Sequence, residues 1–234
     1  MSSLWGVVPA AGSGRRMASE VPKQYLKVAG SPLLEHTLRA LLACADLRGL
    51  VVVLDPGDRR ADAVASLTDP RISSALGGAE RADSVLSGLN SLAGVAAPDD
   101  WVLVHDAARP CLPLTDLQQL VNVVRERGVG GLLAQPLSDT IKRVDDGLRV
   151  VETLDRQTLW RAQTPQMFRM SELQGALEDM RRRGVVVTDE ASAMEQAGYG
   201  VQIVEGSPCN LKVTVPDDLM LAEHYLKTMA ARRV

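Results

Sequence analysis

Short apolar runs alternate along this chain with longer stretches in which leucine, valine and alanine recur at helical spacing. Leu4 to Val8, Leu50 to Leu54, Trp101 to His105 and Gly131 to Gln135 are apolar or β-branched runs of strand length, as expected of strands buried on both faces of a parallel sheet. Helical patterns lie between them. Ser31-Pro32 opens one, with Ser as cap, Pro at the first helical position, and Leu33, Leu34, Leu38, Leu41 and Leu42 along one face. Others are predicted from about Asp58 to Leu67, from Glu80 through Val85, Leu86 and Leu89, and from Thr115 to about Arg127, where Thr115 and Gln118 have capping-box spacing. This alternation predicts an α/β fold, a doubly wound, mostly parallel Rossmann-like sheet covered on both faces.

Residues 137–157 break the rhythm. Thr140 to Val144 and Leu148 to Val151 flank Asp145-Asp146-Gly147, and Asp-Gly between β-branched runs signals a hairpin. A two-stranded ribbon is marginal in water by itself and must lean on something. It lies either on its own domain or, as a protruding arm, on a second subunit. The rhythm then resumes, with a helix from Ser171 to about Arg183, a short one starting at Thr188-Asp189-Glu190, short strands at Val201 to Val204 and Leu211 to Val213, and a closing helix from Pro216 to about Ala230. The whole chain, 1–234, reads as one domain carrying this arm.

Composition narrows the function. Hydrophobic residues make up 46% of the 234, enough for a core, but aromatics only 3%, so that core is built from Val, Leu and Ala. The net charge is −3 and there is no basic tail, which argues against general nucleic-acid binding and makes local cations conspicuous. Cys44, Cys111 and Cys209 are odd in number and without metal-ligand spacing, and no leader pattern or membrane-length apolar run occurs. The expectation is a cytoplasmic protein with no membrane association.

The first strand runs into Pro9-Ala10-Ala11-Gly12-Ser13-Gly14, followed by Arg15, Arg16 and, after a short excursion, Lys23. Residues this small expose backbone N–H groups to an anion, and cations beyond them suit a polyphosphate. The competing reading is a plain strand-to-loop turn, with Arg15 a solvated surface charge. The P-loop string is absent, and the dinucleotide fingerprint fails because Met17 stands in place of its third glycine. Asp106 follows a buried strand, where ligands gather in open α/β sheets. It reads as a ligand for Mg²⁺ or as a cap for the next turn.

The string PAAGSGRRM followed by PKQYL resembles the signature of the 2-C-methyl-D-erythritol 4-phosphate cytidylyltransferases. GGAERADSV at 77–85, VLVHDAARP at 102–110, DT at 139–140, DR at 155–156, TPQ at 164–166, TDEAS at 188–192 and LKVT at 211–214 agree with it in the same order, across nearly the whole chain. The resemblance implies transfer of a cytidylyl group from CTP to a phosphorylated polyol with release of pyrophosphate, in non-mevalonate isoprenoid precursor synthesis, with Mg²⁺ as cofactor. It implies Arg16, Lys23, Arg156 and Lys212 as catalytic cations. It places the nucleotide against Pro9, Ala10, Ala11, Gly12, Ser13, Gly14, Arg16, Lys23, Gly78, Arg81, Asp83 and Ser84. The second substrate falls to Asp106, Arg109, Thr140, Arg156, Thr164, Thr188 and Lys212, with Asp106 also the metal ligand. It further implies a homodimer formed through the arm, with Thr140, Arg156 and Arg109 serving the neighbouring subunit. Thr188 can cap its helix and bind substrate at once. Leu154 stands where the family more usually has Val.

Three alternatives stay open at this level. A pentitol-phosphate enzyme, such as a ribitol 5-phosphate cytidylyltransferase, shares the loop and DAARP. A Rossmann-type oxidoreductase fits the element pattern, since fold does not fix function. A non-catalytic nucleotide sensor would keep the loop without the turnover.

Overall fold

Successive side chains of a strand point to opposite faces, and in this chain both sets are apolar. The computed structural model describes residues 2–12 and 21–231. Its first strand, β1 (Leu4–Pro9), places Leu4 and Val8 on one face and Trp5 and Val7 on the other. The same division holds for β4 (Leu47–Leu54) and β6 (Trp101–Val104). One face is covered by α1 (Leu33–Leu42) and α3 (Leu114–Arg127), the other by α2 (Arg81–Ser91), α4 (Met170–Arg182) and α5 (Glu190–Gln196).

With β5 (Ile72–Leu76), β7 (Gly131–Pro136), β10 (Trp160–Arg169) and β11 (Gln202–Glu205), these strands form a seven-stranded sheet in the order β11-β7-β10-β6-β1-β4-β5. All neighbours are parallel except β10, which runs antiparallel to both β6 and β7. The winding proceeds from β1 to β4 and β5, then returns to β6 on the other side of β1. Chain ends at such a reversal diverge and leave a crevice. Ala10–Gly12 and His105–Asp106 emerge there. A small ribbon of β2 (Lys27–Val28) and β3 (Ser31–Pro32) precedes α1, and α6 (Asp217–Ala231) closes the described chain.

Several expectations are corrected. Residues 58–67 form two single 3₁₀ turns, at 61–63 and 65–68, rather than an α-helix. Side chains take the backbone groups a helix would use: Asp58 accepts from Arg60 N, and the Glu35 carboxylate accepts from Ser66 N and Oγ. Thr115 does not cap α3, which starts one residue earlier behind Pro113, and the Asp116 carboxylate is drawn instead to Ser207 N and Oγ. The α4 helix likewise starts before Ser171 and lacks a side-chain cap. Residues 211–213 are irregular, held by a single backbone bond from Val213 N to Ala108 O (2.9 Å). The ten-residue β10 was not foreseen.

The hairpin forms, from β8 (Ile141–Val144) and β9 (Val150–Leu154), which among the described residues pair only with each other, but Leu148 and Arg149 belong to the turn and the second strand starts at Val150 rather than Leu148. Asp145 shapes its turn by accepting from Gly147 N and Arg149 N. Val144, Leu148, Val150 and Val151 leave their side chains exposed.

Candidate functional site

Two cavities open at the carboxyl ends of β1 and β6. The first, about 350 Å³, is lined by Pro9 to Gly12, Lys23, Gln24, Gly78 to Arg81, Ser84, Asp106 to Ala108, Lys212 and Thr214. Its floor depends on close backbone approach. A Cβ on Gly77 would overlap that of Ala11, and one on Gly78 would overlap that of Asp83. Ala10 is tied to the sheet through Val53 O (2.8 Å) and accepts from the Gln24 amide (2.6 Å). Ser84 Oγ accepts from Gly78 N (3.2 Å), which holds the start of α2 against the loop.

The second cavity, about 270 Å³, is lined by Arg81, Asp106, Arg109, Ala162, Gln163, Thr164, Gln166, Thr188, Asp189 and Lys212. Arg81, Asp106 and Lys212 line both and so form the wall between them. Thr164 Oγ1 accepts from Asp106 N (3.0 Å) and lies 2.9 Å from His105 Nδ1, and His105 Nε2 meets Arg109 O (3.2 Å). The Arg109 carbonyl can only accept, so His105 Nε2 carries the hydrogen, and in the neutral ring Nδ1 accepts from the Thr164 hydroxyl. Arg109 donates to Asn210 O (2.7 Å), and the Asn210 amide donates to Thr164 O (2.8 Å).

Asp106 is the electrostatic centre. Arg81 Nε lies 3.0 Å from Oδ1, while Lys212 Nζ and Arg109 Nε lie 2.8 and 3.7 Å from Oδ2. Burial pulls its pKa upward, but the charges of Arg81, Lys212 and Arg109 outweigh it and hold the carboxyl well below the usual carboxylate range. Burial disfavours the charged form of Arg81 too, and Glu190 and Asp106 more than restore it. At His105 burial outweighs the opposing pull of the Arg109 carbonyl and the Asp106 charge. Burial pushes it down to about 4, so it is neutral.

Most residues named from the sequence meet here. Pro9, Ala10, Ala11, Gly12, Lys23, Gly78, Arg81 and Ser84 surround the first cavity, Arg109, Thr164 and Thr188 the second, and Asp106 and Lys212 both. Ser13, Gly14, Arg15 and Arg16 lie outside the described residues. Asp83 is set back from the lining, where its carboxylate accepts from Glu80 N (3.3 Å) as part of the cap of α2. Thr140 and Arg156 sit at the base of the arm and line neither cavity, with Arg156 bonded to Ser138 O. Arg109 does not go with them: it is buried in this chain's own site beside Asp106, which corrects its grouping with the arm residues. Asp189, not Thr188, caps α5, with its carboxylate accepting from Ser192 N. Gln24, Gln163, Gln166, Asn210 and Glu190 were not singled out, although Glu190 lies inside the TDEAS string.

Among the described residues, no three His, Cys or carboxylate side chains gather as a metal centre. Magnesium keeps water and substrate phosphates as most of its ligands. The Asp106 carboxylate, the one acidic group that lines both cavities and shared there among three cations, fits a magnesium that arrives on a triphosphate and does not fit an all-protein cage.

A small-residue loop, a carboxylate ringed by cations and two cavities meeting at the switch point of a mixed sheet define a nucleotidyltransferase. Residues 4–228 match the model of the 2-C-methyl-D-erythritol 4-phosphate cytidylyltransferases, and the chain belongs to that family. A protein of that name from Ectopseudomonas mendocina is 52% identical over 219 residues, 93% of either chain. One from Pseudomonas aeruginosa is 51% identical over 221 residues, 94% of either chain. Among solved structures, a 4-diphosphocytidyl-2C-methyl-D-erythritol synthase is 36% identical with a TM-score of 0.83, covering 97% of this chain and 99% of the other. The Francisella tularensis 2-C-methyl-D-erythritol 4-phosphate cytidylyltransferase is 34% identical with a TM-score of 0.81, covering 96% and 100%. No described helix is long and apolar enough to cross a membrane.

Proposed function

We propose that the chain transfers the cytidylyl group of CTP to 2-C-methyl-D-erythritol 4-phosphate, giving 4-diphosphocytidyl-2-C-methyl-D-erythritol and pyrophosphate. The observation that carries this reading is the shared wall of Arg81, Asp106 and Lys212 between two cavities of different lining. The nucleotide belongs in the first, where exposed backbone and Lys23 meet a polyphosphate. The polyol phosphate belongs in the second, where Arg109, Thr164 and Thr188 offer donors. Its phosphate oxygen then faces the α-phosphorus across the wall, in line with the leaving pyrophosphate.

Both reactants are anions, so catalysis here is mostly positioning and charge neutralisation. Lys23 and Lys212 supply ammonium point charges, and Arg109 a buried guanidinium. Asp106 would hold Mg²⁺ carried on the triphosphate, and the ion would neutralise phosphate charge when bound. His105 keeps Thr164 and the Arg109 backbone in register without carrying charge itself.

The arm completes the reading. Thr140 and Arg156 line neither cavity of their own chain, and the hairpin carries exposed valines and a leucine and pairs with no other described strand. Exchange of this arm between two copies would cover those side chains and bring both residues to the neighbour's second cavity. The substrate assignment is tested by pyrophosphate release with CTP and Mg²⁺, comparing methylerythritol phosphate with ribitol 5-phosphate. Release with the first is expected, and release with the second alone would overturn the assignment.

A further inference from the structure

Arg81 sits between the cavities with its fork already filled. Nη1 and Nη2 lie 2.6 and 3.1 Å from the two carboxylate oxygens of Glu190, and only Nε is turned to Asp106. Glu190 is 1% exposed and lines neither cavity. Its position is fixed from β10, where Gln166 Oε1 accepts from Ala191 N (2.7 Å) and Gln166 Nε2 donates to Asp189 (2.8 Å). Bidentate pairing of this kind fixes a guanidinium in plane as well as in place.

The wall's charge balance depends on the same residue. Arg81, Arg109 and Lys212 face Asp106 and Glu190, three cations against two carboxylates. Without Glu190, Arg81 is free to chelate both oxygens of Asp106. That would displace Lys212, whose carboxylate partner in this cluster is Asp106 Oδ2. A cation needed at phosphate would then have lost the place from which it reaches either cavity.

We propose that Glu190 is a positioning residue of the transfer reaction: it clamps Arg81 as a rigid bar between the two substrate cavities, so that Arg81 orients Asp106 and Lys212 and is withheld from phosphate. This rests on the assignment of nucleotide and polyol phosphate to the two cavities.

The test is steady-state kinetics and thermal melting of Glu190→Gln, Arg81→Lys, Arg81→Met and the double variant Arg81→Met/Glu190→Leu. The double variant exchanges the buried pair for apolar side chains, a replacement that proteins often tolerate without loss of stability. Wild-type protein that gives no product from CTP and methylerythritol phosphate would overturn the underlying assignment before any variant is compared. With that activity present, Glu190→Gln should lower kcat/KM for both substrates by about 10- to 100-fold. Arg81→Lys should not rescue, because an ammonium has no fork. The double variant should be no worse than Arg81→Met, since Glu190 acts only through Arg81. A melting temperature that falls while kcat/KM stays at the wild-type value for both substrates would make the pair merely structural and overturn the proposal. So would losses that multiply in the double variant, or full activity in a well-folded double variant.

Discussion

His105 lets one consequence of burial be measured directly. Its ring is fully buried between Thr164 and the Arg109 carbonyl, and burial lowers its pKa from 6.5 to about 4. The unfolded chain protonates this histidine below about pH 6.5, whereas the folded chain does so only near pH 4. In that window the unfolded state holds more protons, so stability falls as pH falls. At about 1.4 kcal/mol per pKa unit, the full shift is worth about 3 kcal/mol, of which about 2 is lost between pH 7 and pH 5. The assay is urea unfolding at pH 7, 6 and 5 for wild type and His105→Gln, which keeps an amide donor but cannot titrate. The variant should be less stable at pH 7, yet lose about 2 kcal/mol less on acidification. Parallel losses would refute the reasoning. An NMR titration of the wild-type ring reads the same shift without a variant, since a midpoint near 6.5 is incompatible with a neutral buried imidazole.

Further predictions come from separate parts of the molecule. Lys23→Ala should lower kcat by about 100- to 1,000-fold while the protein remains folded, and near-normal turnover would remove Lys23 from the chemistry. Deleting 140–152 should convert a dimer to monomers in sedimentation velocity and abolish activity, and a surviving dimer would refute the exchanged arm. Asp100 is buried and accepts from Ser3 N, Trp5 Nε1 and Ala97 N. Asp100→Ala strands these donors and should cost about 2–4 kcal/mol in urea unfolding, with no direct effect on KM.

Where a local rule governed, the sequence was legible. The small residues Ala10 to Gly12 just after β1, Asp106 after β6, the start of α2 and the hairpin turn all follow from residues adjacent in the chain. β10 has no hydrophobic period because Gln163, Thr164 and Gln166 are buried for their hydrogen bonds, so its pattern is polar where a core strand would be apolar. The 58–67 segment shows the opposite failure. Its helical spacing was real, but Glu35, on α1, captured its backbone. The Glu190–Arg81 pair spans 109 positions and leaves no local mark. Many residues that the resemblance implied line the cavities, but it did not point to Gln24, which holds Ala10, or to Asn210, which ties Thr164 to Arg109 and is itself held by Gln163.

Cytidylyl transfer is read directly in the phosphorus NMR spectrum of the products formed from CTP, methylerythritol phosphate and Mg²⁺. A pyrophosphate resonance is expected together with a coupled pair from a new diphosphate linkage to the polyol. Unchanged CTP, or cytidine monophosphate and pyrophosphate without that linkage, would contradict it.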